Sequence, residues 1–153
     1  MTANSAATER NMANVRNLID KVINTGRLDL CELYLSPDRI DHDVFGPEGS
    51  ANGHDGFRRV LRPFIEAFPD LHLDIKFMVS DGEKLVVYLK TSGTHLGPFM
   101  GAPATGKRFE ASGVDIFAFT ADGLVSHHWG AFDTLGVMLQ LGLIPAPTMA
   151  EAA

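Results

Sequence analysis

Seven positions of this chain, His127 to Asp133, hold two adjacent histidines, the only tryptophan and an aspartate. A further acid, Asp115, stands upstream in the run FEASGVDIFAF. Imidazole and carboxylate are the groups that proton-transfer chemistry at a carbonyl compound needs. One takes a proton from carbon, and another holds the enolate oxygen that results. A carboxylate does the first task best when desolvation brings its pKa toward the working pH. Asp115 shares strand parity with Phe109, Ala111, Phe117 and Phe119, so it aims at an apolar interior if the register holds through Gly113. It is the candidate general base. The competing reading is a structural carboxylate, turned outward by a bulge or paired with a basic residue.

On one strand, His128 shares a parity with Gly130, and His127 shares the other with Trp129. His128 is therefore the histidine expected in a pocket, as base, acid or oxyanion donor, or else as a buried neutral histidine bonded to another strand. His127 belongs on the outer face. Trp129 reads as a packing or interface residue, or as a platform for substrate. His95 continues the inward set Leu85, Val87, Leu89, Thr91 and Gly93, and so approaches the pocket as a third catalytic candidate beside the loop bearing Phe99 and Met100. Phe99, Met100 and Phe117 are candidate apolar contacts for a substrate. His42, in RIDHDVF, is a candidate pocket donor or a tie between loop and sheet, with Asp41 and Asp43 flanking it on the other parity. Asp133 precedes a short helical stretch and suits its N-cap.

Other chemistries find less support. Adjacent strand residues point opposite ways, so His127 and His128 cannot chelate one metal together, and no metal site is expected. No nucleophile elbow accompanies the histidines. GAPATGK lacks the spacing of a phosphate loop, and no helix follows it.

The elements that must position these groups are legible as a change of period. Met12, Val15, Leu18, Ile19, Val22 and Ile23 recur at helical spacing after Thr8, until Asn24-Thr25-Gly26 stops them. LDLCELYL suggests a short second helix, and HDGFRRVLRPFIEAF a third, with Pro63 inside it. From residue 71 the pattern alternates. Leu71, Leu73, Ile75, Phe77 and Val79 face one way, and DGE and ADG mark hairpin turns between long strands. Three helices ahead of an antiparallel meander predict an α+β fold whose curved sheet wraps the helices and leaves a small-molecule pocket. Gly93 and Gly113 are expected to form bulges or sharp bends that curl it.

One domain over residues 9–147 is expected, with loose ends at 1–8 and 148–153. Among 153 residues, 45% are hydrophobic and 21% charged, the balance of a folded globule. A net charge of −6 with no basic–aromatic stretch argues against nucleic acid. No apolar run is long enough to span a membrane, and no signal peptide opens the chain. The single cysteine, Cys31, reads as a small buried hydrophobe, and a cytoplasmic setting follows. Val114, Ile116 and Ala118 make the outer side of one strand apolar too, which predicts a homodimer through the sheet.

Three segments, AFPDLHLDI (67–75), GTHLGPFMGAPATGKRFEASGVDIF (93–117) and DGLVSHHWGAFDTLGVMLQLGLIP (122–145), resemble the SnoaL-like polyketide cyclase family of the nuclear-transport-factor-like superfamily. The resemblance implies a cone-shaped α+β barrel with a deep apolar pocket, usually in a homo-oligomer. It also implies cofactor-free proton-transfer chemistry, such as intramolecular aldol closure of a polyketide ring. In ring-closing members an aspartate on the last strand is the base and a histidine on the neighbouring strand assists it. Those positions fall here on Gly130 and Asp115, so neither residue carries over. The reading that results is a cyclase or isomerase for a small carbonyl-bearing polyketide-like or terpenoid-like metabolite. A non-catalytic ligand binder of the same fold, and an epoxide or lactone hydrolase, are the alternatives.

Overall fold

In the computed structural model, which describes residues 3–43 and 50–146, the first apolar stripe is a helix. Helix α1 (Ala3–Asn17) starts ahead of Thr8 and passes into a π-helical turn, Leu18–Ile23. Val15, Leu18, Ile19 and Val22 are all buried there. The Asn24 N–H closes the wide turn onto Ile19 O at 2.9 Å, and Gly26 then leaves the helix at φ 69°. The Asn24 side chain bonds both backbone groups of Leu73, which fixes this helix end to the start of a strand.

The expected second helix is instead a 3-10 turn, Leu28–Leu33. Strand β1 (Leu35–Asp41) begins almost at once, and six residues are too few to repay nucleation of an α-helix. Cys31 is fully buried in this turn. Helix α2 (Gly53–Ala67) follows, with Phe57 and Val60 buried and Pro63 inside it. The remaining elements are β2 (His72–Ser80), β3 (Lys84–Thr94), β4 (Arg108–Phe119), β5 (Val125–Phe132) and α3 (Thr134–Leu141). Asp133 caps α3 as expected, its carboxylate accepting the Gly136 N–H at 2.8 Å. The tail at 148–153 lies outside the described residues. No helix among those described is long and apolar enough to cross a membrane.

The strands form one sheet in the order β1-β5-β4-β3-β2. All neighbours are antiparallel except β1 and β5, which run parallel. Because β1 and β2 end as unpaired edges, the barrel is open. Inward residues of β3 and β4 (Leu85, Val87, Leu89, Phe117) meet the first helical segment and Phe57 in one core cluster. A second cluster joins Phe68, Phe99 and Phe109 to α3.

Two expectations about strand geometry are corrected. The alternation in β2 breaks between Ile75 and Phe77, where Lys76 is the unpaired residue of a bulge. One extra residue flips the parity, so Met78 turns inward while Phe77 and Val79 are 54% and 58% exposed. Gly93 and Gly113 make no bulge, since β3 and β4 stay in register throughout. Their missing side chains give space to packing. A Cβ at Gly93 would lie 3.0 Å from Phe68 Cβ, and one at Gly113 3.2 Å from Leu89 Cδ1.

Candidate active site

The parallel pairing of β1 with β5 builds the site. Asp41 lies opposite His128, and the His42 N–H donates to His128 O at 2.9 Å. On the other flank of β5, Asp115 pairs with Gly130 and Phe117 with His128. The unbroken register through Gly113 keeps Asp115 on the inward parity, with Val87 as its partner on β3. One imidazole thus meets three carboxylates, two from the end of β1 and just after it and one from β4. His128 Nε2 is 3.3 Å from Asp115 Oδ1, and Nδ1 is 3.2 Å from Asp41 Oδ2 and 3.7 Å from Asp43 Oδ2. Phe117 flanks the ring at 5.3 Å between centroids.

Asp41 is fixed from behind. Arg39, two residues earlier on the same face of β1, places Nη2 2.5 Å from Asp41 Oδ2 and donates from Nη1 to Ala51 O at 2.6 Å. Both members of this ion pair are almost wholly buried. Asp41 Oδ1 also accepts the Asp43 N–H at 3.1 Å, which sets the path of the chain after β1.

Burial opposes charge on His128, but the carboxylates of Asp115 and Asp41 outweigh it and push its pKa up to about 9. The group is an imidazolium at neutral pH. Burial would raise Asp41, yet the hydrogen bond and charge of His128, with Arg39, hold it below the usual carboxylate range. Asp43 is shifted the other way. Burial is the main cause, and the nearby charges of Asp41 and Asp115 add to it against the pull of His128.

These groups border a cavity of about 420 Å³, whose lining includes Asp43, Asp115, His128, Gly130, Phe132 and Thr134. Among the described residues the lining has one phenylalanine and no methionine, where phenylalanine and methionine were expected to dominate. Gly130 is the bare floor between the acids. A Cβ there would sit 2.9 Å from Asp43 Oδ2, 3.1 Å from Asp115 Oδ1 and 3.2 Å from His128 Cε1.

Asp115, His128 and Phe117 come together and His42 borders the same cavity, whereas His95, Phe99 and Met100 lie elsewhere. His95 is fully buried, its Nδ1 taken by Thr105, among Phe68 and Phe99 of the second core cluster. Phe99 packs in that cluster, and Met100 is 68% exposed on the following turn. Although His42 borders the cavity, its ring stacks on Trp129 at 4.3 Å and bonds His127 Nδ1 at 3.0 Å. Trp129 and His127 are thereby on the outer side, as their parity predicts. Sequence reasoning missed Arg39, Asp41 and Asp43. The signal was present in the two aspartates flanking His42, which share the parity opposite to its own.

Asp41, Asp43 and His128 also present three potential ligand atoms within 4.8 Å of one another. An ion there would have to displace Arg39 from Asp41 and the proton from His128 Nδ1. The donor set is better matched to holding a proton than a metal.

The open α+β barrel and its buried acid–imidazole site define the class, and the sequence comparison agrees. The family model for SnoaL-like polyketide cyclases matches residues 13–141, and the chain belongs to that family. It is 30% identical over 140 residues to the aklanonic acid methyl ester cyclase DauD of Streptomyces sp. (strain C5), covering 88% of this chain and 82% of that one. It is 31% identical over 140 residues to the aklanonic acid methyl ester cyclase DnrD of Streptomyces peucetius, covering 88% and 91%. The solved structure of TsrD from Streptomyces laurentii superposes with a TM-score of 0.74 at 29% identity, covering 91% of this chain and 97% of that one.

Proposed function

We propose that the chain is a cyclase that closes a ring in a polyketide-like, carbonyl-bearing ester by proton transfer without a cofactor. Asp115 takes a proton from carbon between two carbonyls, and the His128 imidazolium holds the enolate oxygen. The single observation behind this reading is the 3.3 Å contact of His128 Nε2 with Asp115 at the edge of the cavity. Family membership and the names of the two Streptomyces relatives support the substrate class. The imidazolium stabilises the negative oxygen only as charge moves onto it, which favours the transition state over the ground state.

Incubation with aklanonic acid methyl ester, followed by chromatography and mass spectrometry, tests the reading. Ring closure by the wild-type chain is expected, with a loss of ~10²-fold or more in Asp115→Asn. A folded wild-type protein that neither closes this ester nor exchanges its acidic C–H would refute the reading.

A second reading, hydrolysis of a lactone or epoxide, gains from Asp43, which supplies a second carboxyl beside Asp115. Incorporation of ¹⁸O from water into an opened lactone would favour it.

A further inference from the structure

Asp43 and Asp115 approach the bare Cα of Gly130 from opposite sides of β5, one from the segment after β1 and one from β4. Both carboxyls are a quarter exposed at the cavity, and His128 reaches each through a different ring nitrogen. The third acid, Asp41, is locked to Arg39 and is almost fully buried. It can orient His128 but cannot reach a substrate. Asp43 is not so held. Its carboxylate borders the cavity, with His128 Nδ1 3.7 Å away.

We propose that Asp43 is a second catalytic residue, the general acid that protonates the alkoxide formed on ring closure while Asp115 acts as base across Gly130. The inference rests on the cyclase reading above. Asp115 carboxylate takes the proton from carbon, and the C–H electron pair becomes the enolate. The enolate carbon then bonds to a second carbonyl carbon, whose π pair becomes an alkoxide. The Asp43 carboxyl gives that oxygen its proton, forming the hydroxyl. The cycle is completed when Asp115 loses its proton to water at the open cavity and Asp43 regains one from water. His128 keeps its own charge throughout, while burial and the repulsion of the neighbouring carboxylates favour a proton on Asp43 against the pull of His128.

Burial and the neighbouring carboxylates already hold the Asp43 carboxyl above the ordinary carboxylate range, the direction an acid at working pH requires. Among the described residues, Asp41 on β1, His42 just after it, Asp115 on β4 and His128 on β5 are the titratable groups around it.

Asp43→Asn separates chemistry from structure, because the amide keeps the size and shape of the side chain but cannot supply the proton. With aklanonic acid methyl ester as probe, two rates are measured: deuterium washout from the acidic carbon in D₂O, and ring closure. Washout near the wild-type rate is expected, with closure slower by ~10²-fold. Asp115→Asn should lose both rates. Asp43→Ser, which keeps an acceptor, serves if Asp43→Asn does not fold. Unchanged closure in either folded variant, or equal loss of washout and closure, overturns the proposal and leaves the cyclase reading standing. A wild-type chain without closure or washout removes both.

Discussion

Asp115 and Gly130 oppose each other directly across β4 and β5, and Asp115 Oδ1 lies 3.1 Å from where a Gly130 side chain would begin. The position that the family resemblance would give to the base is a glycine here, and the carboxylate of its cross-strand neighbour leans into that space. Asp43 Oδ2 enters from the other side, at 2.9 Å. Gly130→Ala puts a methyl group between the two acids. Both obstructing atoms end short side chains, so folding should survive while the carboxyls are pushed apart. Ring closure should fall by about tenfold or more, as small misplacements at a reacting centre do. Steady-state kinetics with an unchanged circular dichroism spectrum checks this. Wild-type activity in Gly130→Ala would mean that the spacing of the two acids is irrelevant.

Arg39 should matter for stability more than for binding. Its guanidinium is the buried counter-ion of Asp41, and Asp41 in turn orients His128. Arg39→Met leaves a carboxylate buried without that partner, which costs about 3–5 kcal/mol in comparable sites. Denaturant midpoints for the wild type and variant measure the loss. The double variant Arg39→Met, Asp41→Leu should recover part of it, because the uncompensated charge has gone with its partner. No recovery would assign the loss to packing against Phe57, whose ring lies 5.6 Å from the guanidinium carbon.

His95 was expected at the pocket from its strand parity, and the parity itself is right. The inward side at that end of β3 is occupied by Phe68, Phe99 and Phe109, so inward there means packed core. Its Nε2 is buried without a hydrogen-bond partner among the described residues. His95→Ala should lose about 2–4 kcal/mol of stability by opening a cavity, with turnover of the folded protein within about threefold of wild type. A drop in turnover matching that of Asp115→Asn would place His95 in the chemistry after all.

A second copy of this chain is the expected occupant of the sheet's outer face. Phe77 stacks on Tyr88 there and stands half exposed, and Val79 beside it is exposed as well. Phe77→Lys should convert a dimer to a monomer in light scattering at micromolar concentration. A wild-type monomer under those conditions would end this prediction.

Strand parity was the most legible part of the sequence. It correctly faced Leu85, Val87, Leu89 and Thr91 inward, and it set His128 against His127, because β3 to β5 keep an alternating pattern over long runs. It failed at Phe77, since a bulge at Lys76 leaves no mark in the apolar pattern that a reader could separate from plain alternation. The site was half legible. Asp115 and His128 could be found on adjacent strands of a meander, whose pairing is local. Arg39, Asp41 and Asp43 arrive through the parallel pairing of β1 with β5, a contact between segments far apart in the chain that periodicity cannot announce. The histidine in RIDHDVF drew the functional reading to itself, while its two acidic neighbours are the groups that meet His128.

The same three carboxylates make stability depend on pH, with a sign fixed by His128. Its folded pKa, about 9, lies above the value of 6.5 that it has when unfolded. The folded state therefore binds the proton more tightly, and the stabilisation is fully present below pH 6.5. It is lost as pH rises through about 9, where the folded protein must also give up the proton. The imidazole is only 12% exposed, so solvent screens the effect little, and up to roughly 3 kcal/mol should disappear across that window. Urea unfolding at intervals between pH 6 and 10 would show the decline. In His128→Asn, which keeps hydrogen-bonding capacity without a titrating proton, the decline should vanish, and the variant should be less stable than wild type at pH 6. A wild-type curve flat from pH 6.5 to 9.5 would show that His128 is not held as an imidazolium by Asp41 and Asp115. In that case, the enolate would lose its proposed cationic partner.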